Sequence, residues 1–226
     1  MPHRPPRGPD VVEPHQSSAA LKARVLAAAS QFRWANLLTY LAISASLVAI
    51  VFTTGPDSRS WAGAGIAAAF AFDLFDGRFA RLFPRTREDE QVGIELDSLA
   101  DVLAFGLTPA VCVLRVVDAP GLAAQAALLF AAICYVLCIV TRLAHFTVFQ
   151  AGTGGFIGLP STIAGLLFAV LFLWVPGPWV AAAVLTGIGA AAVSGVRIGR
   201  PGRPVVYILL AIGVLVGGMH VFRLRA

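Results

Sequence analysis

The sequence predicts an all-α, polytopic integral membrane helical bundle, on three observations. Of 226 residues 58% are hydrophobic and only 13% are charged, with a mean hydropathy of +0.81, against roughly 25% charged residues in a soluble globular domain. Apolar runs close to the about 20 residues that cross a bilayer recur at roughly 37–54, 61–77, 98–117, 121–141, 159–176, 178–196 and 204–222. The breaks between them carry Pro and Gly: only "VDAPG" divides the third run from the fourth and only "PGP" the fifth from the sixth, which predicts tight antiparallel hairpins. About six to seven transmembrane helices follow, in one domain over residues 34–226.

In chain order, residues 1–17, "MPHRPPRGPDVVEPHQS", combine Pro and charge without apolar periodicity, the composition of a disordered tail. No cleavable signal is expected, because its apolar region must follow closely on a short basic stretch and the first such run begins only after residue 34. Residues 18–33 set Leu21, Val25, Ala28 and Phe32 on one helical face and Lys22, Arg24 and Arg33 mostly elsewhere, predicting an interfacial amphipathic helix. Lys and Arg are retained on the cytoplasmic side of a membrane. With the N-terminus inside, thirteen basic residues fall inside and four, Arg59, Arg115, Arg223 and Arg225, outside, so the tail is read as cytoplasmic. The net charge of +5 suits anionic lipid head groups. Without aromatic-interleaved basic patches it does not point to nucleic acid. Cys112, Cys134 and Cys138 all lie in apolar runs with no paired loop spacing, which excludes a disulfide framework or zinc site and leaves small apolar filler.

The costly feature is acidic. "FDLFDGRFAR" (72–81) ends the second run, and "GIELDSLAD" (93–101) opens the third. On helices, Asp73, Asp76, Gly77, Ala80 and Arg81 fall at i, i+3, i+4, i+7 and i+8, and Gly93, Asp97 and Asp101 at i, i+4 and i+8, one face each. Two neighbouring helices, joined by the polar loop "PRTREDEQ", then present two carboxylates each near their cytoplasmic ends. A charge at mid-membrane costs about 2.5 to 3.5 kcal/mol on insertion scales, so four cost on the order of 10 kcal/mol, less at the interface. Converging like charges must share protons or cations, and an all-oxygen ligand set suits Mg²⁺ or Mn²⁺. Four carboxylates are what a two-metal site for phosphoryl displacement needs, with Gly77 and Gly93 leaving room for a bulky phosphate ligand or close helix approach. The plain alternative is pairing of the acids with Arg78 and Arg81 to fasten two helix ends. A metal or proton-coupled transporter is another, although its acids should be spread through the membrane depth rather than gathered at one end.

"DLFDGRFAR…GIELDSLAD" resembles the signature of the CDP-alcohol phosphatidyltransferase family, D-x2-D-G-x2-A-R-x8-G-x3-D-x3-D. Every fixed letter is present, as Asp73, Asp76, Gly77, Ala80, Arg81, Gly93, Asp97 and Asp101. Eleven residues, "LFPRTREDEQV", stand where the pattern has eight, an insertion expected to lengthen the loop and leave both helix faces intact. "ANLLTYLAI" (35–43), "ELDSLADVLAFGLTPA" and "FIGLPST" (156–162) are similar to the phosphatidylserine synthase branch. "RLAHFTV" (142–148) departs from that branch's "RLARFNV" at His145 and Thr147.

The resemblance implies a phospholipid-biosynthetic transferase that moves a phosphatidyl group from CDP-diacylglycerol to a small alcohol and releases CMP. L-serine is the favoured acceptor, with inositol phosphate, glycerol phosphate or choline as alternatives. It further implies two divalent cations, Mg²⁺ or Mn²⁺, with Asp73 and Asp97 bridging both, Asp76 completing the first site and Asp101 the second. Asp101 would also be the general base. Gly77 and Arg81 would contact the nucleotide diphosphate. Asn36 and Thr39 are candidates for the nucleotide side, or else simple helix-start polar residues. Arg142 and His145 are candidates for the acceptor, with snorkelling to the interface the other reading of Arg142. A homodimer in a prokaryotic cell membrane, its active site at the cytoplasmic face, completes the expectation. Among the rest, Glu95 should point away from Asp97, Glu88, Asp89 and Glu90 should be a solvated charge run in the loop, "GRPGR" (199–203) should be a cytoplasmic turn, and His220 should have no site role.

Overall fold

The computed structural model describes residues 32–150, 155–199 and 202–225. The expected tail, nearly all of the expected interfacial helix and the middle of the "GRPGR" turn lie outside the described residues. From Trp34 onward the chain clusters as one unit. A 3₁₀ turn, Trp34–Asn36, leads into α1 (Leu37–Phe52), followed by α2 (Ser58–Ala80) and α3 (Arg87–Asp101). A π-helical turn, Val102–Leu107, carries α3 without a break into α4 (Thr108–Val116). Then come α5 (Gly121–His145), extended by a second π turn Phe146–Gln150, β1 (Gly155–Ile157), α6 (Ser161–Leu171), α7 (Pro178–Ala192), β2 (Arg197–Gly199) and α8 (Arg203–Arg225). The strands form a single antiparallel pair, Phe156 opposite Ile198.

The all-α membrane bundle is borne out. Among the described residues, Trp34–Phe52, Arg87–Val116, Gly121–Phe149 and Arg203–Arg225 are long and apolar enough to cross a membrane. Helix α2, at 23 residues, has the length but carries Arg59, Asp73, Asp76 and Arg78. Large side chains such as Leu47, Phe130, Leu137 and Leu215 remain exposed, as a lipid-facing surface requires. Helix α2 packs against α1 on one side and α6 and α8 on the other, while α5 pairs with α7. The core they enclose holds Ile66, Phe70, Phe105, Tyr135, Ile139 and Phe168. Two of the basic residues expected outside, Arg59 and Arg223, line one cavity with Val116 and Val175.

Three expectations need correction. The fifth and sixth runs form helices of only 11 and 15 residues, because Pro160 fixes where α6 can start and the chain leaves the helix at Phe172, so residues 172–177, not "PGP" alone, connect it to α7. Second, the polar stretch 87–92 is helix, not loop. Thr86 and Asp89 form a reciprocal capping box, Asp89 N–H donating to Thr86 Oγ1 at 3.2 Å and Thr86 N–H to Asp89 Oδ2 at 2.9 Å. Asp89 is consequently buried rather than solvated, and Glu88 and Glu90 sit in the first turn, where the helix dipole favours anions. Third, the insertion therefore lengthens α3 itself, with only residues 82–86 left as a loop.

The π turn begins one residue beyond Asp101. Its wide winding lets the Thr108 N–H reach back to the Leu103 carbonyl, which the Thr108 hydroxyl also bonds at 2.8 Å. The Phe105 carbonyl is taken up by the Tyr135 hydroxyl from α5, so this buried carbonyl keeps a partner. Phe105 itself is fully buried and seats against α6, where a Cβ on Gly165 would come within 2.3 Å of its ring. That contact sets the distance between α6 and the α3–α4 column.

Gly165→Ala is expected to destabilise the protein by about 1–3 kcal/mol through overpacking against a ring that has no room to turn, read as a lower melting temperature in detergent. Thr86→Ala removes one arm of the capping box and is expected to cost about 1 kcal/mol in the same measurement.

Candidate active site

Helices α2 and α3 face each other with their acidic stripes apposed. Asp73, Asp76 and Asp97, all half-buried, can each offer an oxygen such that the three atoms lie within 4.8 Å of one another. The Asp101 carboxyl, one turn beyond Asp97, lies close to that of Asp73. Asp101 Oδ2 accepts a hydrogen bond of 2.6 Å from the Ser161 hydroxyl, and Oδ1 is buried with no hydrogen-bond donor. Asp76 accepts from the Thr39 hydroxyl at 3.5 Å and from the Gly77 N–H.

The pairing alternative does not describe these acids. Among the described residues no ion pair or hydrogen bond links Arg78 or Arg81 to any of the four, and both arginines are exposed. Apposed carboxylates with no direct ion pair among the described residues, one oxygen of which is buried and undonated, are a donor set for hard divalent ions, which take oxygen ligands at about 2.0–2.6 Å. The residues present therefore fit a metal ion.

A cavity of about 170 Å³ opens beside the cluster. Asp76 and Asp97 line it together with Asn36, Thr39, Gly77 and Arg81, so four positions singled out from the sequence for the nucleotide side meet in one place. Asn36 precedes α1 but does not cap it, and both Asn36 and Thr39 are buried. A side chain on Gly77 would meet nothing within 4 Å, and one on Gly93 only Asn36 and Arg85, at 3.7 and 3.8 Å. Both glycines thus keep the space open. Arg85 and Glu90 also line this cavity. Sequence reasoning passed over them because they lie in the inserted stretch, whose helical start could not be seen without the capping box.

A second cavity, about 220 Å³, lies where α5 ends beside β1 and the end of α7, lined by Thr141, Arg142, His145, Ile157 and residues 192–195. Arg142 does not snorkel: it is 7% exposed, because the guanidinium turns inward, donating from Nη1 to Ser161 Oγ at 3.3 Å and lying 5.3 Å from the Phe146 ring centre. Its Nε is buried without a partner. His145 is exposed at the cavity edge, its ring 4.9 Å from that of Phe149. The Thr147 hydroxyl lies 3.4 Å from that of Ser98 on α3 and donates to the Leu143 carbonyl at 3.1 Å, tying the end of α5 to the acidic helix. Glu95 is exposed on another face of α3. His220 is fully buried, with Nε2 2.9 Å from the Ala169 carbonyl, away from both cavities.

Ser161 is the contact that sequence reasoning missed. It belongs to "FIGLPST", a stretch already singled out, but nothing in its spacing reveals a partner sixty positions away.

The family model for CDP-alcohol phosphatidyltransferases matches residues 32–197. A CDP-diacylglycerol–serine O-phosphatidyltransferase of Mycobacterium tuberculosis is 32% identical over 176 residues, covering 71% of this chain and 59% of the relative. Enzymes of the same name from Mycobacterium leprae and Bacillus subtilis are 38% and 32% identical, over 48% and 44% of this chain and 34% and 52% of theirs. The match thus reaches at most 59% of the length of these relatives.

Proposed function

The chain belongs to the CDP-alcohol phosphatidyltransferase family, and from that premise we propose that it transfers a phosphatidyl group from CDP-diacylglycerol to L-serine, giving phosphatidylserine and CMP. The observation that carries this reading is the apposition of Asp73, Asp76 and Asp97, with Asp76 and Asp97 on the wall of the first cavity and Asp101 linked through Ser161 to Arg142 in the second. Serine as acceptor is supported by the activity for which the three relatives are named.

Asp73 and Asp97 would hold two divalent cations, Mg²⁺ or Mn²⁺, with Asp76 completing one site and Asp101 the other. When bound, these ions supply positive charge to the attacking and leaving oxygens of the displacement. The protein supplies position and proton transfer. The cavity of Asn36, Thr39, Gly77 and Arg81 takes the cytidine diphosphate. The planar fork of Arg81 suits a phosphate, and Arg85 adds a second cation on the same wall. The acyl chains of the donor extend into lipid. The acceptor enters the second cavity, where Arg142 and His145 meet it and the Arg142 guanidinium suits the serine carboxylate.

Asp101 takes the proton of the acceptor hydroxyl as its oxygen bonds to the β-phosphorus. The phosphoanhydride bond then breaks, and CMP leaves with the bridging oxygen. A carboxylate can serve as this base only within hydrogen-bond reach of the hydroxyl, and Asp101 is the member of the cluster that reaches, through Ser161, towards Arg142. The site would work at the cytoplasmic face of a prokaryotic cell membrane, in a homodimer.

The test is CMP release from CDP-diacylglycerol by the detergent-purified protein with Mg²⁺ or Mn²⁺, adding serine, inositol phosphate, glycerol phosphate or choline separately. Release that needs both metal and serine is the expected result. Release with another alcohol instead would make His145 and Thr147 the residues that redirect the acceptor. Asp101→Asn is expected to abolish release while leaving the melting temperature near that of the parent; activity within twofold of the parent would remove Asp101 from the role of base.

A further inference from the structure

Ser161 is the first residue of α6, directly after its N-cap Pro160. Here α6 has no side-chain cap, and the hydroxyl is spent elsewhere. It is 1% exposed, donates to Asp101 Oδ2 at 2.6 Å and accepts from Arg142 Nη1 at 3.3 Å. The chemistry of the three groups fixes the direction of this chain. A guanidinium only donates, and a hydroxyl has one proton. With Arg142 on a lone pair of Oγ, the single proton of Ser161 points at Asp101. One oxygen of Asp101 is therefore tied, while the other, Oδ1, is buried and undonated.

The backbone holds Ser161 in place independently of that contact. Gly158 has φ +80°, and a Cβ there would lie 1.9 Å from the Ala192 carbonyl oxygen. Its N–H donates to the Val196 carbonyl at 2.8 Å, and the Leu159 N–H donates to that of Ala191 at 3.0 Å. The segment leading to Ser161 is thus laced to the end of α7, beside the second cavity. The hydroxyl arrives at Asp101 from a fixed support.

We infer that Ser161 is a positioning residue: it locks the Asp101 carboxylate through Oδ2 so that Oδ1 is presented to the metal ion and the acceptor hydroxyl, and Arg142 holds Ser161 in that orientation from the acceptor cavity. This rests on the reading of Asp101 as ligand and base given above. It assigns Ser161 no contact with substrate.

The full-length protein in detergent carries the test, with Ser161→Ala and Ser161→Cys compared on two readouts. One is Mn²⁺ binding followed by electron paramagnetic resonance, and the other is kcat and KM for CMP release. The thiol fills the space of the hydroxyl but is a weak donor, so Cys separates the hydrogen bond from packing. Both variants are expected to bind the more weakly held Mn²⁺ about tenfold less tightly, as loss of an orienting partner of a metal ligand does. Both should lose at least tenfold in kcat, with KM for either substrate within twofold. Mn²⁺ affinity and kcat within twofold of the parent in Ser161→Ala overturn the inference, and so does a Cys variant that behaves as the parent while Ala is impaired. Should Ser161→Ala not fold, Ser161→Cys alone decides on the same two readouts. An unsubstituted protein that releases no CMP with any alcohol sinks the functional reading instead, and the Mn²⁺ titration still judges Ser161.

Discussion

Four carboxylates held against one another in a membrane are the constraint on which the rest of this fold depends. Each is costly there, and their mutual repulsion adds to the cost, so α2 and α3 must be forced to present them face to face. The force comes from packing at a distance from the acids. Phe70 and Ile66 anchor α2 among its neighbours, and Phe105 anchors the column that begins with α3. The π turn begins right after Asp101 and contains that anchor, so the helix can deliver acids to one face and an aromatic ring to the core within a few residues. A capping box one loop after α2 starts α3 at the point that brings Gly93, Asp97 and Asp101 into line with Asp73 and Asp76.

The cluster is connected to two unlike chambers. The first is built from the start of α1, the end of α2 and the start of α3, and is rich in groups suited to a nucleotide diphosphate. The second is built from the end of α5, β1 and the end of α7, and its one buried cation is Arg142. A transferase must bring its donor and acceptor to the same phosphorus, and two separate chambers connected to one set of acids suit that demand. The path from Asp101 through Ser161 to Arg142 joins the acids to the second chamber across three separate elements, α3, α6 and α5.

Much of the architecture was legible because bilayer physics writes itself into composition. Apolar runs of the right length mark helices wherever they occur, and the acidic stripes were visible because helical periodicity depends only on local spacing. The eight signature positions likewise needed no fold to be seen. Local reading failed where the decisive interaction was a hydrogen bond or a backbone choice instead of hydrophobicity. The stretch 87–92 looks like a polar loop until Thr86 and Asp89 close on each other. Residues 172–177 look like membrane span because apolar side chains do not report that the backbone has left the helix. Arg142 looks like an interfacial arginine until Ser161 and Phe146 draw it inward.

By itself the sequence determined that this is a helical membrane protein, that two of its helices each carry a pair of acids on one face, and that those residues match one family's signature. These are properties of composition and of spacings within a single helix, and they hold for any arrangement of the bundle. Only the tertiary structure decided that the two acidic faces meet, that Asn36, Thr39 and Arg85 share a wall with Asp76 and Asp97, and that Ser161 reaches Asp101. Each of those depends on side chains tens of residues apart, brought within a few ångströms by helix packing, and no periodicity along the chain encodes such a distance.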